Sequence, residues 1–164
     1  MQSHLRTLTL VALWALTGVL AVGVVSLSAQ ATDPRIGTWK MNPGKSKYDP
    51  GPAPQSLTVR VEAAGQGEKV TAEFVNADGS RTTTLYTANF DAKDVPLTGA
   101  QLANTVALKR VDARTTVRTD KKDGKTVQTL TRVVAADGKT MTVTTKGTNA
   151  QGQAVNNVIV FDKQ

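Results

Sequence analysis

The chain has 164 residues, with 20 Lys and Arg against 13 Asp and Glu, one histidine, no cysteine and a formal charge of +7. Without cysteine there are no disulfides, thiol nucleophiles or thiolate metal sites, and the one histidine, His4, lies in the N-terminal segment read below as a cleaved signal, so no Ser-His-Asp or His-based zinc centre is expected in the rest of the chain. The positive charge is spread along the chain, which suits solubility and weak attraction to anionic surfaces without naming a partner.

In chain order, residues 1–31 come first. His4 and Arg6 precede an uncharged run from Leu8 to Leu27, and Ser28-Ala29-Gln30-Ala31 closes it with small residues at both positions of an Ala-x-Ala pattern. This predicts a secretory signal helix cleaved after Ala31, and hence a periplasmic or extracellular protein. The run is long enough to span a bilayer, so a retained signal would tether the protein to the membrane. Cleavage removes the only histidine and Trp14, and leaves residues 32–164 as one domain with Trp39 as its sole tryptophan.

Residues 32–164 contain 21 Thr and 15 Val, β-branched types that fit a pleated surface better than a helix. Period-2 alternation places the strands: Leu57 to Ala63, Val70 to Phe74, Thr82 to Tyr86, Val106 with Leu108, Met141 with Val143, and Ile159 with Phe161. The same reasoning puts Val127, Thr129, Thr131 and Val133 on one shared face. Short turn signals separate these runs, notably Asp78-Gly79, Asp123-Gly124, Asp137-Gly138 and Asn149 to Gly152. Residues 42–56, with four prolines, predict an extended linker that is no central strand. Residues 88–103, with Pro96 and Gly99, predict the longest loop and a candidate lid.

About eight short strands plus one at Ile36 to Met41 hide their edges most simply in an up-and-down antiparallel β-barrel of eight to nine strands, with a two-sheet sandwich as the alternative. Such a barrel is either filled by side chains or holds one small ligand.

The segment Gly37-Thr38-Trp39-Lys40-Met41-Asn42-Pro43 with Lys45-Ser46-Lys47 resembles the opening of lipocalin-like exported bacterial proteins. The Gly-x-Trp within it is similar to the opening of the calycins. The resemblance continues through Asp91 to Gly99, the Asp-Gly-Lys hairpins and the ending Val158 to Lys163. It implies a calycin barrel in which Trp39 plugs the closed end and a basic side chain from a late strand packs on its face. Arg132 is the expected cation, with Lys163 as the alternative.

The chemistry left to a chain without His or Cys is that of carboxylate, Lys, Ser, Thr and Tyr. The Asp-Gly aspartates read as turn residues, and Asp120-Lys-Lys-Asp123-Gly lacks the ligand alternation and terminal Glu of a calcium loop. No enzymatic activity, metal or cofactor is expected. Arg110, Arg114, Arg118, Lys121 and Lys122 cluster without an aromatic platform, so they read as solvated strand faces and not as a nucleic-acid surface. The expected function is uptake of a small apolar or amphipathic ligand; the alternative is a filled barrel acting as an envelope interaction protein. The inward candidates are Val59, Val61, Val70, Phe74, Tyr86, Val106, Leu108, Val127, Met141 and Val143. Trp39, Phe74, Tyr86, Leu108, Arg132 and Met141 form the expected ligand site, with Tyr86 or Arg132 orienting the ligand.

Overall fold

The computed structural model describes residues 33–164; the signal helix and its cleavage site lie outside the described residues. Ten antiparallel strands follow one another: β1 (Gly37–Met41), β2 (Ser56–Ala64), β3 (Gly67–Val75), β4 (Arg81–Asn89), β5 (Asp91–Pro96), β6 (Thr105–Arg110), β7 (Thr115–Lys122), β8 (Lys125–Val134), β9 (Thr140–Thr148) and β10 (Ala154–Lys163). Each pairs with its sequence neighbour except at β4–β5, and the first strand pairs with the last through Trp39 opposite Lys163. The result is a nearly closed up-and-down barrel.

Two strand edges, β4 and β5, face the seam. A single bridge draws it together: Leu85 N–H donates to Thr98 O at 3.0 Å, and Thr98 N–H donates to Leu85 O at 2.9 Å. Thr98 lies just past β5, and its neighbour Gly99 has φ +78°, where a Cβ would sit 1.9 Å from Thr83 O. Only glycine lets the backbone approach β4 this closely.

Most alternation runs face as expected. Leu57 and Val61 of β2, Val70 and Ala72 of β3, Tyr86 of β4, Leu108 of β6, Met141 of β9 and Phe161 of β10 are all buried in one core. The two residues Asp123 and Gly124, both at positive φ, join β7 to β8 in the tight hairpin that Asp-Gly announces. Asp78 and Asp137 each accept a backbone N–H two residues on, as turn residues do.

Two expectations need correction. Residues 88–103 are not one long loop, because Asp91–Pro96 forms β5, an edge strand of mostly exposed polar residues with a bulge between Asp91 and Asp94. Its polarity and terminal proline suit an edge and hid the strand from a periodicity test. In β8 the face is inverted: the pairing skips Val127 between Asp120↔Gln128 and Lys121↔Thr126, and this extra residue shifts the phase. Val127 still packs against the core, but beyond it Arg132 and Val134 are buried while Val133 is 42% exposed.

Residues 42–56 pass outside the strand order, as the prolines require. They form a 3₁₀ turn at Pro43–Lys45 and a lone bridge from Lys47 to Val158 before β2 begins.

Candidate functional site

The strand ends near Gly37 form the sealed end of the barrel. Trp39 is fully buried there, its Nε1–H donating to Arg35 O at 2.9 Å. The cation over its ring is Lys163, with Nζ 5.0 Å from the centroid and also donating to Pro34 O. Arg132, the cation expected there, points elsewhere: β1 pairs with β10, which brings Lys163 directly opposite Trp39. The segment entering β1 is tied down as well. Buried Arg35 contacts Asp33, and Arg35 and Arg110 both lie over the Phe90 ring, 4.7 and 4.0 Å from its centroid. Burial works against the Asp33 charge, but hydrogen bonds from Arg35 outweigh it and hold the carboxyl below its usual range.

Above this plug the barrel is hollow. A cavity of about 760 Å³ runs from Thr116 and Arg132 to Tyr48, Pro52 and Pro54, so the proline-rich segment lines its far end. Its walls are largely apolar: Leu57 and Val59 of β2, Val70, Ala72 and Phe74 of β3, Leu108 of β6, Met141 and Val143 of β9, and Ile159 and Phe161 of β10. Of the expected ligand-site residues, Phe74, Tyr86, Leu108, Arg132 and Met141 line it. Trp39 does not; it belongs to the plug. Val61 and Val106 are buried in the core without reaching the cavity. The proposed lid segment contributes Gly99, Ala100, Gln101, Leu102 and Ala103, but the Thr98–Leu85 bridge pins it to the wall.

A polar cluster that sequence reasoning missed occupies one side of this interior. Arg132 Nη2 donates to both carboxylate oxygens of Glu68, at 2.5 and 2.6 Å, and its Nε donates to Thr116 Oγ1 at 3.0 Å. Tyr86 Oη donates to Glu68 at 3.1 Å. Next to it, Arg118 forks onto Asp120, Nε to Oδ1 at 2.5 Å and Nη2 to Oδ2 at 2.6 Å, and its guanidinium lies 5.1 Å from the Tyr86 ring centroid. Burial opposes the Arg118 charge, but the Asp120 hydrogen bonds prevail and raise its pKa. Burial pushes the Tyr86 phenol up to about 12, so it remains a donor.

Of the basic cluster read as a solvated face, Arg110, Arg114 and Lys122 are exposed as expected, and Arg118 departs from it. Arg118 is inside, Arg110 is bound to Asp33 and Phe90, and Lys121 donates to Asp94 at 2.7 Å. The signal available was the spacing Thr116-x-Arg118-x-Asp120, a period-2 polar row opposite Val117. Charge on a strand defaults to the solvent face, and the outward residues between these three are Val117 and Thr119, so hydropathy pointed the wrong way.

The sequence matches no family model and no curated protein. Among solved structures, the zebrafish ileal bile acid-binding protein complexed with cholic acid superposes with a TM-score of 0.50 at 14% identity, covering 80% of this chain and 99% of that one. The fold is of the calycin type. At that identity the likeness is one of architecture: a ten-strand, nearly closed antiparallel barrel.

Proposed function

We propose that this calycin-type barrel is a non-enzymatic carrier, which takes a small hydrophobic or amphipathic molecule into its interior. The observation that carries this reading is the cavity of about 760 Å³, well inside the usual range of roughly 300–1,000 Å³ for ligand pockets. A filled barrel, the alternative, would leave no such space. Apolar walls from β2, β3, β6, β9 and β10 supply the affinity, at about 25 cal/mol per Å² of apolar surface removed from water. The cluster of Arg132, Arg118 and Tyr86 on one wall supplies orientation. The zebrafish bile acid-binding protein, whose barrel this one resembles, is known in complex with cholic acid, which supports a hydrophobic ligand here.

We further propose that the protein is lipocalin-like in the finer sense, bacterial and exported, released after Ala31 to the periplasm or the exterior. The uncharged run from Leu8 to Leu27 and the Ala-Gln-Ala ending support export. Native mass spectrometry of the protein purified from its own host tests the carrier reading. The expected result is a co-purified lipid-sized mass, and its repeated absence would sink the proposal. The same spectrum gives the N-terminus, which should be Thr32.

A further inference from the structure

Inside the barrel, two cations face two anions. Arg132 is engaged by Glu68 and Arg118 by Asp120, each through two contacts of 2.5–2.6 Å. Glu68, Asp120 and Arg132 are each less than a tenth exposed and the Arg118 side chain is one-fifth exposed, so these charges are largely spent on one another in the barrel wall. The formal charge of the cluster is zero.

That balance bears on what the cavity accepts. A buried carboxylate head would join two protein carboxylates around two guanidinium groups and leave one negative charge uncompensated. A buried ammonium head would leave one positive charge in the same way. Either imbalance is opposed by the desolvation of the extra charge, which no free counter-ion in the cluster offsets. An uncharged head that both donates and accepts upsets nothing. Among the described residues no protein acceptor meets Nη1 of Arg132, and this nitrogen is not sealed away from the cavity its side chain lines. It is an unpaired donor that a ligand oxygen can meet, and the carboxylates of the cluster keep spare lone pairs for a hydroxyl hydrogen.

Resting on the carrier reading above, we propose that the ligand is a neutral lipid with a hydroxyl or amide head, of the class of long-chain alcohols and monoacylglycerols, and that the paired charges discriminate against fatty-acid anions. The cluster thereby acts as a specificity filter: apolar area sets how tightly a tail binds, and charge balance sets which head is tolerated.

Titration of protein made from the full-length gene with 1-dodecanol, dodecanoate and dodecylammonium at pH 8 compares one tail with three heads. The alcohol should bind about tenfold tighter than either ion. In Glu68→Gln the cluster carries a net positive charge, and dodecanoate should gain about tenfold on the alcohol while dodecylammonium falls further behind. Asp120→Asn makes the same change at the second pair and serves if the first variant fails to fold. Wild-type binding of either ion as tight as that of the alcohol, or a preference unmoved in both variants, would overturn the inference. If none of the three compounds binds the wild type, the carrier reading itself falls, and this inference with it.

Discussion

Glu68 and Arg132, 64 residues apart in sequence, meet inside the barrel as a buried ion pair, with Nη2 of the arginine 2.5 and 2.6 Å from the two carboxylate oxygens. Glu68 is 1% exposed and sits one residue into β3, where Tyr86 of the neighbouring strand also donates to it. Removing Arg132 alone leaves that carboxylate charged, buried and held by one phenol. Arg132→Met should therefore cost about 3–5 kcal/mol in urea unfolding. Pairing it with Glu68→Leu should recover most of the loss, because two apolar side chains replace two mutually dependent charges. A double variant no more stable than Arg132→Met would mean that the pair contributes through something other than charge compensation.

Tyr86 gives the barrel an alkaline limit. Burial raises its phenol to about 12, against 10 for a free tyrosine, so the folded state holds this proton more tightly than the unfolded state does. The stabilisation is complete below pH 10 and is lost as pH rises from 10 towards 12. At two units it amounts to about 3 kcal/mol. Tyr48, raised by burial to about 12 but only half enclosed, adds a smaller share of the same sign. Urea midpoints between pH 9 and 11.5 should fall more steeply for the wild type than for Tyr86→Phe, which has no phenol to ionise. Equal slopes would remove Tyr86 from the account.

The strands were legible where an apolar face meets a polar one. Val70, Ala72 and Phe74 alternate with Thr71 and Glu73, and they line the cavity as the pattern requires. Besides β5, which carries no apolar alternation, legibility failed in two places. Across Val127 a bulge shifts the phase, and a period-2 pattern cannot register an inserted residue when Thr, Gln and Val succeed one another. At Thr116, Arg118 and Asp120 the inward face is the polar one, because each charge finds its partner inside the cavity wall; Glu68 belongs to the same case. Such pairing depends on contacts between distant strands, which no local pattern contains. The hollow interior was equally out of reach, since a scarcity of large apolar side chains fits a thin core as well as a cavity.

Closure of the barrel depends on Gly99. A Cβ there would lie 1.9 Å from Thr83 O, so Gly99→Ala must push the segment after β5 away from β4. The expected cost is about 2–3 kcal/mol, with faster hydrogen exchange at the Leu85 and Thr98 amides and unchanged exchange across β9 and β10. Gly138→Ala is the control. Gly138 has φ +68° in a hairpin turn but no neighbour within 4 Å of a Cβ, so it should pay only the backbone strain, about 1 kcal/mol. Similar losses and similar exchange in both variants would show that the seam does not depend on this close approach.

The hollow interior separates carrying from folding. Ala72 lies on β3 with its methyl group facing the cavity, so Ala72→Trp can place a large ring in existing space without displacing the wall. Stability should change by less than about 1.5 kcal/mol, because the ring fills a void and does not crowd a packed core. Binding of 1-dodecanol, or of whatever mass the native protein carries, should weaken at least tenfold as the tail loses its room. The contrast is with Val133→Trp, on the outer face of β8 and 42% exposed, which should leave binding as it was. Calorimetric melting together with ligand titration reads both quantities on the same samples. Undiminished binding in Ala72→Trp would place the ligand outside the barrel.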